Sequence, residues 1–127
     1  MGGVMGGLPY IGGPSPSLGQ TALGLQITAT TETTVLQFTP GSDIALLLRA
    51  SLAIVTSATT VSLVASWTDP HAGAQTYQWE NSASLPVGVR LELPLLVHAK
   101  GGQEVSIKVT AGTADQTYVT ASIERVV

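Results

Sequence analysis

Between Leu85 and Thr110 the chain alternates with a period of two twice over, and no other feature limits its fold so tightly. Val87, Val89, Leu91, Leu93, Leu95 and Val97 take the odd positions, while Gly88, Arg90, Glu92, Pro94, Leu96 and His98 take the even ones. After Ala99-Lys100-Gly101-Gly102 the alternation resumes, with Val105, Ile107 and Val109 set against Glu104, Ser106 and Lys108. Successive side chains of a strand point to opposite faces, so each run predicts a strand with one buried and one solvated face.

The same pattern recurs along the chain. Leu23, Leu25, Ile27 and Ala29 alternate with Gly24, Gln26 and Thr28 in a first strand, and Leu36 and Phe38 point inward from a short second one. Thr39-Pro40-Gly41-Ser42-Asp43 closes it as a turn cluster. A long run then places Ile44, Leu46, Leu48, Leu52 and Ile54 on one face and Ala45, Leu47, Arg49, Ser51 and Val55 on the other. Leu46-Leu47-Leu48 suits a helix too, but the period of two favours a strand. Thr59 to Thr68 is rich in β-branched residues and sets Val61, Leu63, Ala65 and Trp67 inward.

Asp69 to Ala74 reverses the chain, and Gln75 to Trp79 returns with Trp67 expected opposite Tyr77 and Ala65 opposite Trp79. Glu80 to Pro86 reads as a loop. The last strand, from about Thr117 to Val126, turns Val119, Ala121 and Ile123 inward and Tyr118, Thr120, Ser122 and Glu124 outward. About eight strands with short turns and no convincing helix predict an all-β fold of two packed antiparallel sheets. A jelly roll is the first choice and an immunoglobulin-like sandwich the second.

Charge excludes several functions. Charged residues make up 10% of the chain against a typical ~25%, which suits a subunit whose surface is covered by other protein. Arg49, Arg90, Lys100, Lys108 and Arg125 are scattered and the net charge is −3, a poor match to nucleic acid. The chain has no cysteine, hence no disulfide or thiolate metal site. The N-terminus lacks the features of a targeting signal, and the most apolar window, Ile44 to Val55, is too short to cross a bilayer and carries Arg49.

Residues 1–20 hold seven glycines and three prolines, interrupted by Val4, Met5, Leu8, Tyr10, Ile11 and Leu18. Such a segment is neither a helix nor an interior strand. A flexible tail has this composition. Ordering it costs on the order of 20–40 kcal/mol of backbone entropy, whereas its six apolar side chains return only about 10–20 kcal/mol. An extended arm that laces onto neighbouring subunits, partly by strand addition, supplies the missing contacts. The expected division is therefore an arm over 1–20 and a β-sandwich over 21–127.

Candidate sites are few. Asp69-Pro70-His71 brings a carboxylate near an imidazole, but one such pair is short of a metal's ligand set, and a polar hairpin tip explains it. His98, at a strand end, reads as a solvent-facing or interface residue. No Gly-x-Ser-x-Gly elbow, paired glycosidase carboxylates or phosphate-cradling loop stands out, so no catalytic residue, cofactor or metal ligand is assigned. Trp67, Tyr77 and Trp79 share an expected face with Val61 and Leu63. They read as core or subunit interface, with a sugar-binding platform as the alternative.

From Pro94-Leu95-Leu96-Val97-His98-Ala99-Lys100-Gly101-Gly102-Gln103-Glu104-Val105-Ser106-Ile107 to the closing Thr117-Tyr118-Val119-Thr120-Ala121-Ser122-Ile123-Glu124-Arg125-Val126, the C-terminal half resembles small jelly-roll structural proteins of tailed bacteriophages, with a tumour-necrosis-factor-like fold. The Thr-rich strand ending Trp67-Thr68-Asp69 adds to the likeness, which covers roughly residues 30 to 127. The resemblance implies a non-enzymatic virion subunit on the particle surface. It would be a homotrimer that decorates or cements the head against the major capsid protein or another virion subunit, without nucleic acid or membrane partners. The long Gly/Pro-rich arm departs from a minimal jelly roll and suits a cement role. A receptor- or carbohydrate-binding module of a tail fibre is the alternative, with Asp69–Ala74 and Glu80–Pro86 as contact loops.

Overall fold

The computed structural model describes residues 20–91 and 94–126. Nine strands run in chain order: β1 Gln20–Ile27, β2 Thr33–Phe38, β3 Ile44–Ile54, β4 Thr59–Asp69, β5 Gly73–Leu85, β6 Gly88–Leu91, β7 Leu95–Ala99, β8 Val105–Ala111 and β9 Thr117–Val126. One sheet has the order β1-β9-β3-β6, with β7 also on β3, and the other has the order β2-β8-β4-β5. All pairings are antiparallel. No helix among the described residues is long and apolar enough to cross a membrane.

Strands β6 and β7 lie end to end against β3, on Ser51–Ile54 and Ile44–Leu48, and so act as one interrupted strand. Counted that way, eight strands alternate between two four-stranded sheets with only the β4–β5 hairpin staying within one. This is the jelly roll and not the immunoglobulin-like sandwich. The central strands carry the core. Leu46, Leu48 and Leu52 of β3, Val119 and Ile123 of β9, Val61 and Leu63 of β4, and Val105, Ile107 and Val109 of β8 are fully buried between the sheets. Each such side chain contributes about 1.5–3 kcal/mol by leaving water.

Four expectations need correction, and three of them have one cause. In β1, three steps from Ala22 to Leu25 match two steps from Ala121 to Val119 on β9. The extra residue forms a bulge at Gly24, whose φ of 58° is open to glycine at little cost. Its N–H donates to Thr120 Oγ1 at 3.0 Å. The bulge puts Leu23 on the outer face, 80% exposed; Leu25 stays at the rim, Ala29 lies beyond the strand and is exposed, and only Ile27 is fully buried.

The long alternating run changes face in the same way. Four steps from Leu91 to Leu95 match three from Ser51 to Leu48, so Val89 stands opposite outward-facing Ala53 while Val97 stands opposite buried Leu46. A one-residue slip exchanges the faces of everything beyond it. Val87 and Val89 are therefore exposed rather than buried.

Glu80–Pro86 is not a loop, because β5 continues along β4 as far as Leu85. Two register shifts along this edge, at Val61/Ser62 and Leu63/Val64, break the alternation that would have marked it as a strand. The hairpin register also differs: Trp67 pairs with Gln75, and Ala65 with Tyr77. Gly73, with φ of 82°, enters β5 directly from the tip and tightens the turn by two residues.

The Lys100–Glu104 corner does not close a hairpin. It carries the chain from β7 in one sheet to β8 in the other. Three backbone donors hold it: Lys100 N–H to the Thr68 carbonyl at 2.8 Å, Gly102 N–H to the Pro40 carbonyl at 2.8 Å, and Gly101 N–H to Asp43 Oδ1 at 2.9 Å.

Candidate interface surfaces

The two outer faces of the sandwich differ in chemistry. On the β2-β8-β4-β5 sheet the outward positions are Thr34, Gln37, Lys108, Thr110, Thr60, Ser62, Ser66, Thr76 and Gln78 with few apolar residues, and Lys108 Nζ lies 4.0 Å from the exposed Glu32 carboxylate. This is a surface made for water. The other sheet turns out Leu23 at one edge, Leu47, Ala53 and Val55 in the middle, and Val89 and Leu96 at the far edge. Val89 is 79% and Leu96 64% exposed. Patches of this kind mark contact surfaces.

A shallow groove of about 360 Å³ crosses the centre of that face, lined by Leu23, Arg49, Ser51, Thr120 and Glu124 among others. Arg49 pairs with Ser122 and Leu47 with Glu124, so Arg49 and Glu124 are diagonal neighbours on adjacent strands. Ser122 Oγ donates to Glu124 Oε2 at 3.1 Å and helps fix the carboxylate. A second, smaller hollow of about 160 Å³ lies at the β6 edge, between Ile54, Leu85, Pro86 and Val87.

Trp67, Tyr77 and Trp79 gather at the β4–β5 edge. Trp67 and Trp79 are half-buried and pack against the core, and Tyr77 meets Trp79 edge to face with ring centroids 5.9 Å apart. Tyr77 is 46% exposed at the rim. The three are thus neither a buried cluster nor a flat open platform. Two of them seal the core, and the third is accessible from one side.

At the hairpin tip Asp69 Oδ1 accepts the N–H groups of His71 at 2.8 Å and Ala72 at 3.0 Å. The Ala72 and then the His71 hydrogen bonds hold the Asp69 carboxyl below the usual carboxylate range, with a further contribution from the His98 and His71 imidazoles. The His71 and His98 rings, from different sheets, stand 5.9 Å apart. Among the described residues no group of three or more His, Cys, Asp or Glu side chains is placed to hold a metal ion.

The arm residues Val4, Met5, Leu8, Tyr10, Ile11 and Leu18 lie outside the described residues, and Gln20, the last residue of the expected arm, opens β1. Reading the chain for buried faces turns Leu23 and Val89 inward, and so misses the exposed apolar set they make with Leu96, which stands on the solvated face its even position predicts. Two signals for it were present: a lone glycine inside a strand, at Gly24, and a leucine at an even position of the β7 run, Leu96.

The fold defines an eight-stranded jelly-roll sandwich with one polar outer face and one that exposes apolar side chains around a polar centre. Neither a family model nor a curated protein matches the chain. Among solved structures it is similar to a chain in the structure of the infectious bursal disease virus Gx strain, with a TM-score of 0.50 and 6% identity over 84% of this chain. A second similarity is to the infectious bursal disease virus VP2 subviral particle, with a TM-score of 0.47 and 9% identity over 87% of this chain. The chain spans 30% of the length of each. At such identities the likeness is one of fold.

Proposed function

We propose that the chain is a non-enzymatic structural subunit of a virion, of the kind that decorates or cements a head lattice. The observation that carries this reading is the outer face bearing Leu23, Leu47, Val89 and Leu96 on a chain with 10% charged residues, a surface suited to cover by protein. Fold similarity to a chain from a virus supports it. So does the resemblance of the C-terminal half to small jelly-roll proteins of tailed phages. In this reading the subunit forms a homotrimer at the particle surface, and residues 1–20 lace onto a neighbour or the major capsid protein.

Deleting residues 1–19, which precede β1, tests the role of the arm. The reading expects a folded domain with an unchanged circular-dichroism spectrum that no longer stays on the particle. A truncated chain that remains attached as tightly as the full one contradicts it.

One observation favours a second reading, a receptor- or carbohydrate-binding module of a fibre. Tyr77 is accessible beside Trp79, and an aromatic face at a sandwich rim can stack on a sugar ring. Binding of glycans by the wild chain, abolished by Tyr77→Ala with folding intact, would favour it over the cement role.

A further inference from the structure

We infer that the outer face of the β1-β9-β3-β6/β7 sheet is where a second copy of this chain packs, with Arg49 of one copy set against Glu124 of the other. The inference rests on the reading that the chain assembles with copies of itself, and it names the surface that does so.

Three observations converge on it. The first is the contrast between the two outer faces: among the described residues this one exposes Leu23, Val89 and Leu96 by more than half, whereas the other sheet exposes Tyr77 at its rim. The second is size. Four strand widths by the length of β3 give about 19 Å by about 37 Å, or about 700 Å². Standard protein–protein interfaces take roughly 600–1,000 Å² from each partner, and the face falls in the lower half of that range.

The third is charge. Among the described residues this face carries one guanidinium, Arg49, and one carboxylate, Glu124, side by side at its centre. A patch with one charge of each sign is complementary to itself. A nucleic acid or an acidic partner would call for a surplus of base, whereas another copy turned about a symmetry axis supplies a carboxylate for each guanidinium. With two copies the exchange is reciprocal, and around a three-fold axis it runs head to tail and closes.

Charge exchange in the full-length chain, read by sedimentation velocity at low salt, tests this. Arg49→Glu leaves two acids on the patch and Glu124→Arg leaves two bases. Each variant alone is expected to self-associate at least about tenfold more weakly than the wild chain, and an equimolar mixture to recover association, fully for a two-fold pair and at two of the three contacts for a trimer, because unlike copies then meet. An ion pair confined to one chain predicts no recovery on mixing. Leu96→Asp, on the same face and clear of the Ser122–Glu124 hydrogen bond, supplies a second variant and is expected to weaken association as well.

If the wild chain and all variants associate equally, the surface is wrong while self-assembly stands. If association is lost only on deleting residues 1–19, the arm covers this face and the proposal is overturned. A wild chain that stays monomeric at all concentrations removes the assembly reading itself.

Discussion

The Gly101 backbone lies so close to that of Ser42 that a Cβ added to Gly101 would stand 2.6 Å from the Ser42 Cα. The contact joins the corner leaving β7 to the turn entering β3, where Asp43 already accepts the Gly101 N–H. Backbone cannot yield as a flexible side chain can, so Gly101→Ala is expected to lower stability by about 1–3 kcal/mol. Urea unfolding of the isolated domain measures it; a variant as stable as the wild chain would show that the corner relaxes freely.

The two faces of β3 and its neighbours make opposite predictions. Leu48→Ala, between the sheets, should cost about 2–5 kcal/mol, whereas Leu96→Ser, on the outer face, should stay within about 0.5 kcal/mol in the monomer. Denaturant midpoints of the two variants at a concentration where the chain is monomeric decide the matter. Equal losses would mean that Leu96 is buried within its own subunit.

Much of this was legible in the residues themselves, and the failures share a cause. Val61, Leu63 and Ala65 of β4, the Leu46–Ile54 face of β3 and the Val119–Ile123 face of β9 lie where period two places them. These strands are central in their sheets, and pairing on both sides holds their register. The edges behave otherwise. One extra residue near Gly24 and another between Leu91 and Leu95 reverse a face without disturbing the alternation visible in the sequence. Those reversals add Leu23 and Val89 to an outer face that already held Leu47, Val55 and Leu96, which is why counting inward positions did not find the whole of it.

The aromatic edge should divide. Trp79 packs on the core, so Trp79→Ala is expected to destabilise by about 2 kcal/mol, while the more exposed Tyr77→Ala should cost under about 1 kcal/mol. Thermal melts of the two variants, run beside glycan-binding assays, check this. A Trp79→Ala chain of full stability that has lost a glycan would overturn the core role.

Acid should loosen the hairpin tip late. A carboxyl held below its ordinary value stabilises the folded turn above the ordinary carboxylate range, and that contribution disappears as pH falls through the depressed folded value. The amide resonances of His71 and Ala72 should therefore shift together with a midpoint below the ordinary aspartate value of about 3.9. Asp69→Asn should remove the transition. A midpoint at or above the ordinary value would show that the two N–H donors do not hold the carboxylate in solution.

Imaging the native particle at a resolution that traces β3 and β9 shows whether the chain is one of its subunits. The predicted result is this jelly roll in multiple copies on a lattice, with residues 1–20 running across an adjacent subunit and the Arg49–Glu124 face covered by another copy. Particles that lack the chain, or that carry it at the tip of a fibre with Tyr77 and the β4–β5 hairpin pointing outward, would contradict it.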